Sequence, residues 1–148
     1  MIVLEAVRLA KLSEMVFGQM TLKKMKLDGI VFNIANKCII PLLDQQKYKD
    51  RVWNFNGNIF YDSNKYENKL IPNTKSWDMV SGFPAHVDDS EITINLCLGG
   101  KFTKCAVHFE NGYSHEHSIG TGIIYSGSLA HEVDPCEGER FNIVIFLS

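Results

Sequence analysis

The stretch "HEVDPCEGERFNIVIFL", His131 to Leu147, carries three signals in order. A histidine comes first, Pro135 and Gly138 then mark a turn, and Arg140 opens an alternating strand. Side chains two apart on a strand face the same side. Arg140 and Asn142 therefore share one face, while Phe141, Ile143, Ile145 and Leu147 share the other. A guanidinium so placed can point into a cavity beside a packed layer. Upstream, "SGFPAHVDDSEITINL", Ser81 to Leu96, sets His86 two residues before Asp88 and runs into a second alternating strand. By the same alternation the imidazole and the carboxylate can chelate one ion together. Alone, His86-Val87-Asp88 reads more readily as a polar turn, and it is the later His131 and Arg140 that give it chemical context.

The texture around these stretches sets the fold class. In "EITINLCL", Ile92, Ile94, Leu96 and Leu98 alternate with Thr93, Asn95 and Cys97, and Gly99-Gly100 then reads as a turn. "CAVHF", "GTGIIYS" and "RFNIVIFL" read as further strands, split by "ENGYSHEHSIG" and "LAHEVDPCEGE" as loops. Before them lie two helical stretches. "MIVLEAVRLAKLSEMVF" has one apolar stripe, and "IVFNIANKCII" is ended or kinked by Pro41. Between Lys47 and Asn73 only "NIFY", Asn58 to Tyr61, resembles a strand. Helices first and strands after, without crossover helices between the strands, predict an α+β chain with an antiparallel sandwich or jelly roll.

The bulk numbers exclude several classes. The 148 residues suffice for one domain that buries roughly 68–70% of its unfolded surface, so no staples are required. A formal charge of −2 leaves no basic surplus for a phosphate backbone, so nucleic acid is not expected as a partner. Cys38, Cys97, Cys105 and Cys136 include no CxxC pair, which predicts reduced thiols in a cytoplasmic setting rather than a zinc ribbon. Glu5, Arg8 and Lys11 interrupt the apolar N-terminus, so neither a membrane span nor a signal core is expected.

Two histidines and one carboxylate form the facial triad of non-haem Fe(II) oxygenases, which leaves three positions open for a 2-oxo acid and O₂. The planar fork of Arg140 suits the distal carboxylate of such a co-substrate. Other groups have milder readings. "SHEHS", with His115 and His117, reads as a solvated turn, and Asp89 as a residue that caps its turn. Cys97, Cys105 and His108 lack zinc-finger spacing, and Tyr125 either lines the cavity or packs.

The segments "HVDDSEITINLCLGGKF", "EHSIGTGIIYSG" and "HEVDPCEGERFNIVIFL" resemble the 2-oxoglutarate- and Fe(II)-dependent oxygenases with the double-stranded β-helix fold. Within that family the chain is similar to the prolyl-4-hydroxylase-like branch, and there to the group called 2-oxoglutarate and iron-dependent oxygenase domain-containing protein 2. "LKKMKLDGIVFNIANKCIIPLLDQQKY", Leu22 to Tyr48, matches more weakly the helical region before the core. The resemblance implies a single domain over 1–148, with helical support over 1–50 and a jelly-roll core over 51–148. It implies iron ligation by His86, Asp88 and His131, co-substrate binding by Arg140, and a second polar contact from Asn142. The implied reaction hydroxylates a peptide side chain or small molecule with O₂ and 2-oxoglutarate, releases succinate and CO₂, and has ascorbate as a possible reductant. The alternative is a non-catalytic module of the same fold. A cupin-like metal protein without co-substrate would give Arg140 no role. The chain departs from the family where a tyrosine usually precedes the HxD pair, since Trp77 and Phe83 are the aromatics there. Lys104-Cys105 stands where paired glycines are usual.

Overall fold

A computed structural model describes residues 19–63 and 82–148. The expected helix over Met1 to Phe17 and the Trp77 position lie outside the described residues. In chain order the elements are β1 (Gln19–Thr21), α1 (Asp28–Ile34), α2 (Gln45–Tyr48), β2 (Phe55–Ser63), β3 (Phe83–His86) and β4 (Ile92–Thr103). They continue with β5 (Ala106–Phe109), β6 (Ser114–Glu116), β7 (Gly122–Ser126), β8 (His131–Val133) and β9 (Glu137–Leu147). Helix α1 runs on through a wide turn (Ala35–Ile39) into a tight one (Ile40–Leu42), where Pro41 ends the helical path. Among the described residues no helix is long and apolar enough to cross a membrane.

The strands form two antiparallel sheets, one ordered β1-β2-β9-β4-β7 and the other β3-β8-β5-β6. Register decides what each face of the larger sheet carries. Ile92 stands opposite Leu147, Ile94 opposite Ile145 and Leu96 opposite Ile143, with Ile59 of β2 on the other side of Ile143. Directly opposed residues share a face, so these side chains make one apolar layer. Leu22, Met25, Leu27, Val31, Ala35, Leu43 and Trp53 cover it from the helical side, and together they form the hydrophobic core. The opposite face of β4 and β9 carries Thr93, Asn95, Cys97 and Asn142. It looks toward the smaller sheet, because Tyr125, opposed to Thr93, packs its ring 5.0 Å from Phe109 of β5. Phe60 of β2 likewise meets Phe83 of β3 at 6.0 Å.

Several expectations change. Gly99-Gly100 is not a turn, since β4 continues to Thr103 through a register shift between Cys97 and Gly99. Both glycines have positive φ, 154° and 127°, which lets a bulge kink the strand without ending it. A Cβ on Gly100 would overlap the Glu139 carbonyl of β9. Short strands β6 and β8 occupy segments read as loops, because cross-strand pairing to β5 supplies hydrogen bonds that sequence texture does not show. The expectation of reduced thiols fails for one pair: Cys105 and Cys136 are joined in a disulfide. They are 31 residues apart in sequence, yet Asp134 donates its N–H to Ala106 and brings the two segments side by side. Next to them Lys104, at φ 53°, pairs with Glu137 at 3.1 Å. Its left-handed backbone is a conformation that glycine adopts more cheaply.

Gly100→Ala should destabilise the protein by about 2 kcal/mol or more, from left-handed strain plus backbone overlap. Urea unfolding measures this, and an unchanged midpoint would mean that β4 and β9 do not approach as described.

Candidate metal centre

His86 closes β3 directly opposite His131, which opens β8, so the smaller sheet brings the two imidazoles together with ring centroids 4.4 Å apart. Asp88 follows two residues later in the connection to β4, where its backbone N–H is held by the Gly127 carbonyl at 2.9 Å. Val87 between them is 57% exposed and points away. His86 Nε2 lies 3.6 Å from Asp88 Oδ1, and His131 Nε2 lies 3.7 Å from Asp88 Oδ2. One ligand atom from each of the three falls within 4.8 Å of the others, the one such cluster found among the described residues.

Hydrogen bonds fix which atoms face inward. His86 Nδ1 is 2.8 Å from the Pro84 carbonyl, and His131 Nδ1 is 3.0 Å from the Leu129 carbonyl. A carbonyl only accepts, so each Nδ1 carries a proton, and in the neutral ring each Nε2 keeps its lone pair, taking a proton shared with Asp88 only when the ring is charged. That is the arrangement a metal-ligating histidine needs. Thr93 Oγ1 donates to Asp88 Oδ2 at 2.7 Å, and having spent its proton it must accept from Ser90 Oγ at 2.8 Å. This short chain sets the carboxylate plane. Cis ligands at ~2.1 Å from an octahedral ion stand ~3 Å apart, so small side-chain adjustments bring all three donors to one ion. The donor set suits Fe(II).

The electrostatics agree. Burial pushes the Asp88 carboxyl upward, but hydrogen bonds from His86 and Thr93 and the nearby His131 outweigh it and hold Asp88 below the usual range. His86 is raised, mainly by its hydrogen bond to Asp88 and against the effect of burial. Tyr125 lines the site rather than packing away from it. Its hydroxyl is 3.3 Å from His131 Nε2, and burial, with the Asp88 charge, raises its pKa far above the ordinary phenol. Phe109 and Tyr125 wall His131 at 5.6 and 4.9 Å between rings, and Phe83 flanks His86 at 5.3 Å while staying half exposed.

Arg140 and Asn142 are also buried, at 6% and 4% exposure, on the inner face of β9. Asn142 Nδ2 donates to Asn95 Oδ1 at 2.8 Å. The buried polar residues Thr93, Asn95, His117, His131, Arg140 and Asn142 contrast with the apolar core on the outer face. His117 was missed: the "SHEHS" segment is not a solvated turn, and His117 is buried at 7% exposure. Alternation would have pointed to it, since His117 lies two residues after His115 of β6 and their rings are 5.5 Å apart. His108 pairs with Asp134 at 2.7 Å and Cys105 is in the disulfide, so neither is a zinc ligand with Cys97.

No family model matches the chain. Over 73 residues, 42% of the chain, it is 36% identical to the mouse "2-oxoglutarate and iron-dependent oxygenase domain-containing protein 2", of which this covers 21%. It is 32% identical over 89 residues to the Arabidopsis thaliana "2-oxoglutarate and iron-dependent oxygenase domain-containing protein CP2", covering 49% of the chain and 22% of that protein. The chain is similar to 2-oxoglutarate- and iron-dependent oxygenases. It matches about a fifth of the length of these curated relatives. A solved structure from Burkholderia pseudomallei, described as an oxidoreductase of the 2OG-Fe(II) oxygenase family, shares the fold with a TM-score of 0.56. The match has 18% identity and covers 81% of this chain and 57% of that one.

Thr93→Val should lower divalent-metal affinity about 10- to 100-fold by freeing the Asp88 carboxylate, as losses of such supporting hydrogen bonds do. Titration with Mn(II) measures it, and unchanged affinity would remove Thr93 from the site. Metal binding also requires neutral imidazoles. Because Asp88 raises His86 above the ordinary imidazole value, affinity should fall as pH drops from about 7 to 5, beginning on the high side of that range. Affinity that is flat across the range would contradict ligation by His86.

Proposed function

We propose that the chain carries an Fe(II)- and 2-oxoglutarate-dependent dioxygenase site that hydroxylates a peptide side chain or small molecule. The observation that supports this most is the convergence of His86 Nε2, the Asp88 carboxylate and His131 Nε2, with the buried Arg140 on the inner face of β9. In this reading His86, Asp88 and His131 hold the iron. Arg140 binds the distal carboxylate of 2-oxoglutarate, and Asn142 gives a secondary polar contact. Bound iron with O₂ would supply oxidative decarboxylation of 2-oxoglutarate to succinate and CO₂, coupled to hydroxylation of a substrate C–H, with ascorbate as a possible reductant.

The protein's own part is binding, orientation and exclusion of water. Leu129 and Pro84 hold the ring tautomers, Thr93 orients Asp88, and Tyr125 and Phe109 close the side of His131. A cleft of about 430 Å³ lined by Asn54, Asn56, Val87, Asp88, Asp89 and Phe146 reaches Asp88 and offers room for a substrate. The whole is read as one jelly-roll domain over 1–148 with its core in 51–148. A non-catalytic module of the same fold would have no use for three convergent donor atoms on buried or half-buried side chains, because burying such groups costs free energy unless something binds them.

Asp88→Ala should abolish succinate release, since the ion would lose its anionic protein ligand, and should lower the unfolding midpoint because the Thr93 hydroxyl loses its acceptor. Arg140→Lys should weaken 2-oxoglutarate about 10- to 100-fold with metal affinity retained, because a point charge replaces a bidentate fork. Succinate assayed with Fe(II), 2-oxoglutarate and ascorbate checks both. Failure of the unaltered protein to bind 2-oxoglutarate in the presence of iron would overturn the reading.

A further inference from the structure

His117 is a buried imidazole with a place but no partner. It is 7% exposed, and neither ring nitrogen makes a hydrogen bond. Leaving such groups unsatisfied in a protein interior is costly, so a buried orphan points to a ligand. The backbone fixes where the ring sits. His117 donates its N–H to the Cys105 carbonyl on the side of the smaller sheet. Gly120 then donates to Cys97 O and Cys97 donates to Thr121 O, so residues 117–121 strap one sheet to the other. Cys97 is opposed to Asn142, and Arg140 is opposed to Gly100 farther along the same strand pair. The strap therefore crosses the end of the inter-sheet space at which Arg140 stands. The Arg140 charge acts on both His117 and Cys97.

The ligand chemistry follows from these neighbours. Burial, then the Arg140 charge, then His115 push His117 down to about 3, so the ring is neutral and offers one N–H donor. The adjacent guanidinium disfavours a cation between His115 and His117, although their rings are only 5.5 Å apart. An anion with acceptor oxygens suits a guanidinium and a neutral imidazole together. The Nδ2 donor of Asn142 is already engaged by Asn95, which leaves His117 as an uncommitted donor at this end.

We propose that His117 donates a hydrogen bond to the distal carboxylate of the co-substrate beside Arg140, making the site selective for a dicarboxylate over a shorter 2-oxo acid. This rests on the oxygenase reading above. The test is anaerobic binding to the Fe(II)-loaded protein, with 2-oxoglutarate as one probe and oxalate, which can chelate metal but has no distal carboxylate, as the other. His117→Phe keeps a ring in the cavity and removes the donor, whereas His117→Gln keeps a donor. His117→Phe should weaken 2-oxoglutarate about 10- to 100-fold with oxalate unchanged, and His117→Gln should recover most of the loss. Equal weakening of both probes, unchanged 2-oxoglutarate affinity in folded His117→Phe, or no recovery by His117→Gln would each overturn the proposal. If His117→Phe fails to fold, the His117→Ala variant is measured with the same two probes and the same criteria. The oxygenase reading is tested separately by the unaltered protein and by Arg140→Lys. Loss of 2-oxoglutarate binding in Arg140→Lys with no effect of His117 substitution would leave that reading standing and overturn this one.

Discussion

The structure depends on the pairing of β4 with β9, because that one ladder separates the apolar layer from the polar one. Its register puts Ile92, Ile94 and Leu96 against Leu147, Ile145 and Ile143 on the side covered by the helical segment. The hydrophobic driving force is then largely met outside the sandwich. The space between the sheets is left to Thr93, Asn95, Asn142, Arg140 and His131, whose polar groups would burden a purely structural core. The bulge at Gly99-Gly100 permits this arrangement to continue past Cys97 and to pair Arg140 in β9 with Gly100.

Asp88 links the two sheets electrostatically. It lies between imidazoles that belong to the smaller sheet and receives a hydrogen bond from Thr93, which belongs to the larger one. A carboxylate so surrounded is held ionised in spite of burial. The two carbonyls that fix His86 and His131 come from within two residues of each ring, so the ligand tautomers are set locally. The position of Asp88 is set instead by the backbone contact to Gly127, far along the chain. Ligand chemistry is thus local and ligand convergence is tertiary.

The regions of similarity and the geometry complement each other. The curated relatives match less than half or about half of the chain, while the fold likeness extends over 81% of it. The disulfide between Cys105 and Cys136 and the ion pair between Lys104 and Glu137 tie the start of β5 to the segment that leads from His131 to Arg140. They brace the connection between a candidate iron ligand and the candidate co-substrate arginine.

The sequence alone determined the alternation in β4 and β9, the stop at Pro41, and the pairing of His86 with Asp88, since each rests on spacing within a few residues. It also ranked His131 and Arg140 above the other histidines and arginines through their order along one strand and turn. Only the tertiary structure decided that Gly99-Gly100 bends a strand rather than ending it, that Cys105 meets Cys136, and that Tyr125 reaches His131. It alone turned His117 from a turn residue into a buried neighbour of Arg140. The physical reason is common to all four: each depends on hydrogen bonds or contacts between different strands, and a period of two gives the face a side chain points to without naming what stands opposite.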